Sequence, residues 1–260
     1  MVSWLQSRED GAVRRLVIDR PDRKNAIPYD GWPELTEAFR RFEGSDARVL
    51  VISGEGGDFC AGADLDPADR GSLDSAVARH RRMKVVGEAA ITLHRLSKPT
   101  IAAVDGVAVG AGMNLALGCD VVVCSDRARF SEIFVKRGLT LDFGGSWLLP
   151  RIVGTQRARE LALSGRIVEA EEAVRLGLAI EMVPAERLSE RVSEIATEFL
   201  AGGPFAQTLI KRALAASLDT GFADAIASEG LSQTVALGTE DAAEGIASFI
   251  EKRHPNWKGR

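Results

Sequence analysis

Two hydrophobic periods alternate along the chain. Val13, Leu16 and Ile18 predict a strand over residues 13–19, closed by Arg20-Pro21, and Leu35, Ala38, Phe39 and Phe42 share one face of a helix over residues 32–43. RVLVIS at residues 48–53 predicts a buried parallel strand, which runs into the glycine-rich GEGGDFCAGADL. A polar stretch at 66–74 precedes an amphipathic helix over about 73–96, ended by Lys98-Pro99. Residues 100–125, TIAAVDGVAVGAGMNLALGCDVVVCS, then repeat the order of strand, glycine-rich corner and apolar helix, and add a further buried strand at 120–124. Beyond them the pattern predicts helices at 155–163 and 169–176, a short strand at 179–183 and a helix at 185–200. After Gly202-Gly203-Pro204 it is helical to about residue 252.

This sequence of elements predicts an α/β core over residues 1–200 and a helical region over 201–260. The latter is too small to be secure alone, so it is expected to pack on the core or on another subunit. Glycines between a strand and a helix start either let the helix pack on the sheet or bring backbone N–H groups to a ligand. In the second case Gly110, Ala111 and Gly112 would form a cradle for an oxygen carrying negative charge.

Composition narrows the chemistry. With 45% hydrophobic and 27% charged residues and a formal net charge of −4, the chain is an ordinary globular one without the basic excess of a nucleic-acid binder. No apolar run approaches the roughly 18 residues of a membrane span, and the first ten residues lack a signal-peptide core. The odd count of three cysteines, Cys60, Cys119 and Cys124, carries no metal-ligand spacing and fits reduced thiols in a cytoplasm. GxxxxGK[ST], a strand-following GxGxxG and GxSxG are all absent, and His80, His94 and His254 have no ligand spacing. What remains is a site of backbone donors and carboxylates, with no metal.

The motifs RPDRKNAI, FCAGADL, AAVDGVAVGAGMNLALGCDVVV, GLTLDFGGSWLLPRIVG and FIEKR, in this order across nearly the whole chain, resemble the crotonase superfamily of enoyl-CoA hydratases and isomerases. The resemblance implies a spiral of β-β-α units with a C-terminal helical trimerisation region, assembled as a homotrimer or dimer of trimers. It implies an acyl-CoA thioester as substrate, with coenzyme A part of that substrate and no separate cofactor. By motif position, the N–H groups of Ala63 and Ala111 would hold the thioester oxygen and stabilise an enolate. Arg23, Lys24, Ala61, Gly62, Asp64 and Gly110 would line the coenzyme A path, and Lys252, beside Phe249 at the same substrate site, would meet a phosphate, from a neighbouring subunit if the trimer forms.

The chain departs from that family in its acids. The two positions where hydratases carry glutamates hold Asn114 and Phe134, and neither an amide nor a phenyl ring exchanges a proton. Asp142, two residues before Gly144-Gly145, resembles the acid of the double-bond-shifting branch. Its apolar neighbours Leu139, Leu141, Phe143 and Trp147 would raise its pKa if it is buried; alternatively it caps the helix that follows. Glu132 is expected to face solvent, and becomes a candidate second acid only if its segment turns it inward. The expected activity is therefore enoyl-CoA isomerisation by Asp142. The alternatives are 2-enoyl-CoA hydration and a catalytically reduced acyl-CoA-binding homologue.

Overall fold

The computed structural model describes residues 3–65 and 75–260. The predicted polar stretch 66–74 and the first two residues of the helix predicted from 73 lie outside them.

A six-stranded sheet carries the core. β1 (Leu5–Asp10) pairs antiparallel with β2 (Val13–Ile18) around Gly11, whose φ of +57° suits glycine. β3 (Val49–Gly54), β4 (Thr100–Val104), β6 (Val121–Ser125) and β9 (Glu181–Val183) follow in parallel, in the order β1-β2-β3-β4-β6-β9. Parallel strands need crossovers, and α1 (Trp32–Glu43) and α2 (Ala76–His94) provide the first two.

The β-strand period divides the core in two. Leu50 and Ile52 point to the face packed by Trp32, Leu35, Phe39 and Phe42 of α1. Val49 and Val51, with Ile101, Ala103 and Val123, meet Val192 and Ile195 of α7 (Leu188–Leu200) on the other. Each fully buried aromatic or aliphatic side chain contributes about 1.5–3 kcal/mol, so these two layers fix the strand ends that carry the glycine corners.

A second sheet of β5 (Val107–Val109), β7 (Arg129–Ser131) and β8 (Val168–Glu169) lies across those ends, in the order β5-β7-β8. α3 (Ala111–Leu117) leaves β5 directly, α4 (Gly145–Val153) and α5 (Thr155–Ser164) follow β7, and α6 (Ala170–Leu176) follows β8. The sequence pattern missed β1, β5, β7 and β8, which are either an exposed edge strand or only two to three residues long.

Residues 204–251 are α8 (Pro204–Ala216), α9 (Phe222–Leu237) and α10 (Glu240–Glu251). Lys211 of α8 reaches Asp120 at 2.7 Å, and Trp257 Nε1 donates to the Ala201 carbonyl at 2.8 Å. Phe222, Leu231, Phe249 and Ile250 stand in solvent, an apolar surface that the chain itself leaves uncovered. No helix among the described residues is long and apolar enough to cross a membrane.

Candidate active site

Two glycine corners meet where the sheets end. Lys24 and Asn25 both adopt left-handed backbone (φ +50° and +56°), which folds RPDRKN into a tight turn. Asn25 is fully buried; its side-chain amide donates to the carbonyls of Glu55 and Asp58 and its Oδ1 accepts from the Arg20 N–H. The turn grips the second loop: Ala61 N–H donates to the Lys24 carbonyl at 2.9 Å, Ile27 N–H to Gly62 at 2.8 Å, and Asp64 N–H to Ile27 at 2.8 Å. Arg20 completes the clasp, with Nη1 3.0 Å from Asp64 Oδ2.

Gly62 (φ +86°) lies against the start of α3; a Cβ there would come within 2.9 Å of the Val109 carbonyl oxygen and 3.3 Å of the Ala111 nitrogen. Only glycine allows that approach. It sets the 61–64 loop beside the first helical turn. The N–H groups of Ala63 and Ala111 donate no hydrogen bond among the described residues, Ala111 because the first turn of a helix has no intrahelical acceptor. Two free backbone donors from two rigid loops can together receive one oxygen.

Asn114 lies one turn along α3 from Ala111, and is fully buried. Its Nδ2 donates to the Asp142 carbonyl at 3.0 Å and to Glu132 Oε2 at 3.4 Å. Glu132 is only 1% exposed, which corrects the solvent-facing expectation: the 3-10 turn over Ile133–Arg137 swings it inward from the end of β7 while Lys136 and Arg137 stay outside. The Asp142 side chain does not cap α4: the N-cap is Gly144, and Asp142 Oδ1 has no hydrogen-bond partner among the described residues. Its backbone carbonyl also accepts the Gly145 N–H at 3.0 Å, and the next residue, Phe143, has φ +47° and packs its ring 5.6 Å from that of Trp32. A bulky residue in that region is strained, a cost met where the site needs one geometry.

Three buried oxygens here, Asn114 Oδ1, Glu132 Oε1 and Asp142 Oδ1, have no hydrogen-bond partner among the described residues. Buried polar atoms are rarely left so, and three together mark a place built to receive something. Burial pushes the Asp142 carboxyl up to about 6. Burial pushes Glu132 up to about 8; the Asn114 hydrogen bond opposes the rise and the nearby Asp142 charge adds to it. Of the apolar neighbours expected around Asp142, Phe143 is buried, whereas Leu139 is 52% exposed.

Beyond Gly144 opens an apolar cavity of about 410 Å³, between Ala90 and Ile91 of α2 and Phe143, Trp147 and Leu148. His94 closes one side by stacking edge-on to Trp147, with ring centroids 5.1 Å apart. The sequence pattern pointed neither to this cavity nor to the clasp of Arg20 on Asp64, because each joins residues far apart in the chain.

The structure thus brings together Ala61, Gly62, Ala63, Asp64, Gly110, Ala111, Glu132 and Asp142. Gly110 N–H donates to the Ser131 carbonyl at 2.8 Å, which ties the donor corner to the segment carrying Glu132. Arg23 and Lys24 sit exposed on the turn beside this loop. Asp64, expected along the coenzyme A path, is 8% exposed and engaged by Arg20, so its carboxylate positions the loop. Phe249 and Lys252 are exposed on and just after α10, with no hydrogen bond or ion pair to the two corners among the described residues; Phe249 is 85% exposed. Cys60, Cys119 and Cys124 are free, and burial pushes each thiol up to about 12, far from a reactive thiolate. No group of three potential metal ligands occurs among the described residues.

The sequence profile of the family described as Enoyl-CoA hydratase/isomerase matches residues 8–260. The chain is 34% identical to the 1,2-epoxyphenylacetyl-CoA isomerase of Escherichia coli (strain K12), over all of both chains. It is 36% identical to the carnitinyl-CoA dehydratase of Proteus mirabilis (strain HI4320), over 96% of each. Among solved structures, the enoyl-CoA hydratase/isomerase from Cupriavidus metallidurans CH34 superposes with a TM-score of 0.90 at 35% identity, covering 98% of this chain and 96% of that one.

Proposed function

The chain belongs to the enoyl-CoA hydratase/isomerase family, and on that premise we propose that it shifts the carbon–carbon double bond of an enoyl-CoA thioester with Asp142 as base. The observation that carries this reading is the Asp142 carboxyl: half-buried, with Oδ1 enclosed and unpartnered, and raised to about 6. A base poised just below neutrality can take a proton from the carbon next to a thioester. The Ala63 and Ala111 N–H groups receive the thioester oxygen, whose charge grows as that proton leaves. Only protons move, so no cofactor beyond the coenzyme A of the substrate is required.

Arg23 and Lys24 on the first turn, with the backbone of Ala61 and Gly62, line the path for coenzyme A, and the acyl group enters the cavity beside Trp147. Phe249 and Lys252 complete the coenzyme A site from a neighbouring subunit of a homotrimer or dimer of trimers, whose interface covers the apolar surface of residues 201–260. Cytoplasmic residence fits the free cysteines.

The buried Glu132 favours one second reading, hydration, in which it would position a water. Incubation with 3-hexenoyl-CoA and with 2-hexenoyl-CoA separates the two. Isomerisation of the first to the conjugated 2-enoyl thioester supports the proposal. Formation of 3-hydroxyhexanoyl-CoA from the second, with no isomerisation of the first, refutes it.

A further inference from the structure

A second cavity, of about 500 Å³, stands behind the one beside Trp147, with Leu117, Phe199, Ile210 and Leu214 on its apolar walls. Phe143 and Gly144, the neighbours of Asp142, line the first cavity and not the second, so the second lies farther from the acid. The two cavities share four residues, His94, Gly118, Trp147 and Leu148. Gly118 has no side chain to bar the way. What divides them is therefore the edge-on pair of the His94 and Trp147 rings, with Leu148 beside it. The indole is held from several sides. His94 ends α2 and meets the ring at a centroid distance of 5.1 Å; Arg151, one turn along α4, sets its guanidinium carbon 3.9 Å from the indole centroid and donates to the Trp147 carbonyl at 3.3 Å. Arg151 is in turn 3.3 Å from Asp219, beyond the end of α8. A cation on its face and a second ring on its edge restrict a side chain that has only two torsions, so the half-buried Trp147 is a fixed partition.

We propose that the pair of Trp147 and His94 sets the acyl-length limit of this site: it ends the pocket after a short acyl chain, and without the indole a longer chain runs on past Gly118 into the second cavity. This rests on the reading above that the acyl group enters the cavity beside Trp147. A methylene that leaves water for an apolar wall tightens binding about fourfold, whereas one turned back into solvent by the partition gains nothing. The second cavity can accept hydrocarbon, because the charges on its lining, Lys211 and Asp120, are already paired at 2.7 Å and an entering chain strands neither. Trp147 and His94 are thus specificity-determining residues, and neither takes part in the proton transfer.

The test is calorimetric titration of wild type, Trp147→Ala and His94→Ala with hexanoyl-CoA and decanoyl-CoA, saturated thioesters that bind without reacting, and it reads the ratio of the two Kd values. Wild type is expected to bind decanoyl-CoA no more than about threefold more tightly than hexanoyl-CoA, and Trp147→Ala to raise that preference by about tenfold or more as the added methylenes leave water. A merely structural Trp147 would weaken both thioesters alike. A Trp147→Ala ratio that stays at the wild-type value overturns the inference, and so does a wild type that already prefers decanoyl-CoA by about 30-fold or more. His94 is exposed, so its replacement removes no buried packing. Should Trp147→Ala not fold, His94→Ala decides: a stronger preference for decanoyl-CoA than in wild type supports the partition, and an unchanged ratio refutes it. A wild type that binds hexanoyl-CoA but isomerises no 3-hexenoyl-CoA overturns the isomerase reading and leaves this inference standing, whereas one that binds neither saturated thioester overturns both.

Discussion

Replacing Glu132 by glutamine should stabilise the protein, and increasingly so as pH rises. In the unfolded chain a glutamate ionises near 4.5, whereas in the folded protein burial and the Asp142 charge raise it to about 8. The sign follows from linkage: between these values the unfolded state has released a proton that the folded state still holds, so wild-type stability falls with rising pH. The slope is about 1.4 kcal/mol per pH unit and levels off above pH 8, for an upper bound on the order of 5 kcal/mol. Glutamine has nearly the same shape and cannot ionise. Denaturant unfolding of wild type and Glu132→Gln at fixed protein concentration, from pH 5 to 9, reads the difference, and fixed concentration matters because any self-association would add its own stability. A difference that grows through pH 5–8 and then flattens is expected. A flat difference would mean that Glu132 ionises in the folded protein as it does in water, and would refute its burial as a neutral acid.

Two further outcomes test other parts of the site. Gly62→Ala places a Cβ 2.9 Å from the Val109 carbonyl oxygen at φ +86°, so it should cost about 1–2 kcal/mol of backbone strain and, by shifting one donor loop, up to about 100-fold in kcat. Unchanged kcat in a folded variant would remove the 61–64 loop from the oxygen site. Phe249→Asp should weaken self-association, read by sedimentation as a shift to smaller species, because the ring it replaces is 85% exposed in the single chain; an unchanged sedimentation profile would free α10 from the interface.

Much of this was legible in the sequence because it depends on period and on glycine. Leu35, Phe39 and Phe42 predicted α1, the 48–53 run predicted β3, and the small residues around 62 and 110 marked the corners that meet. Asn114 was read as standing where a hydratase carries a carboxylate, and the structure adds that its amide donates both to Glu132 and to the Asp142 carbonyl. The strands of the second sheet escaped notice because two or three residues hold no period. Glu132 was misplaced for a related reason: it stands between a three-residue strand and a 3-10 turn, where the direction of a side chain is set by the tertiary path and not by its neighbours in sequence. Asp64 was assigned to the ligand because its loop motif is shared; that Arg20 engages it, from 44 positions earlier, could be seen only in the structure.

The most direct measurement is the isomerisation rate of 3-hexenoyl-CoA with wild type and Asp142→Asn, followed by the absorbance of the conjugated thioester. Asparagine keeps the shape of the side chain and cannot take the C2 proton, so the rate should fall by about 100-fold or more while the substrate still binds. An Asp142→Asn enzyme that isomerises as fast as wild type would contradict the account.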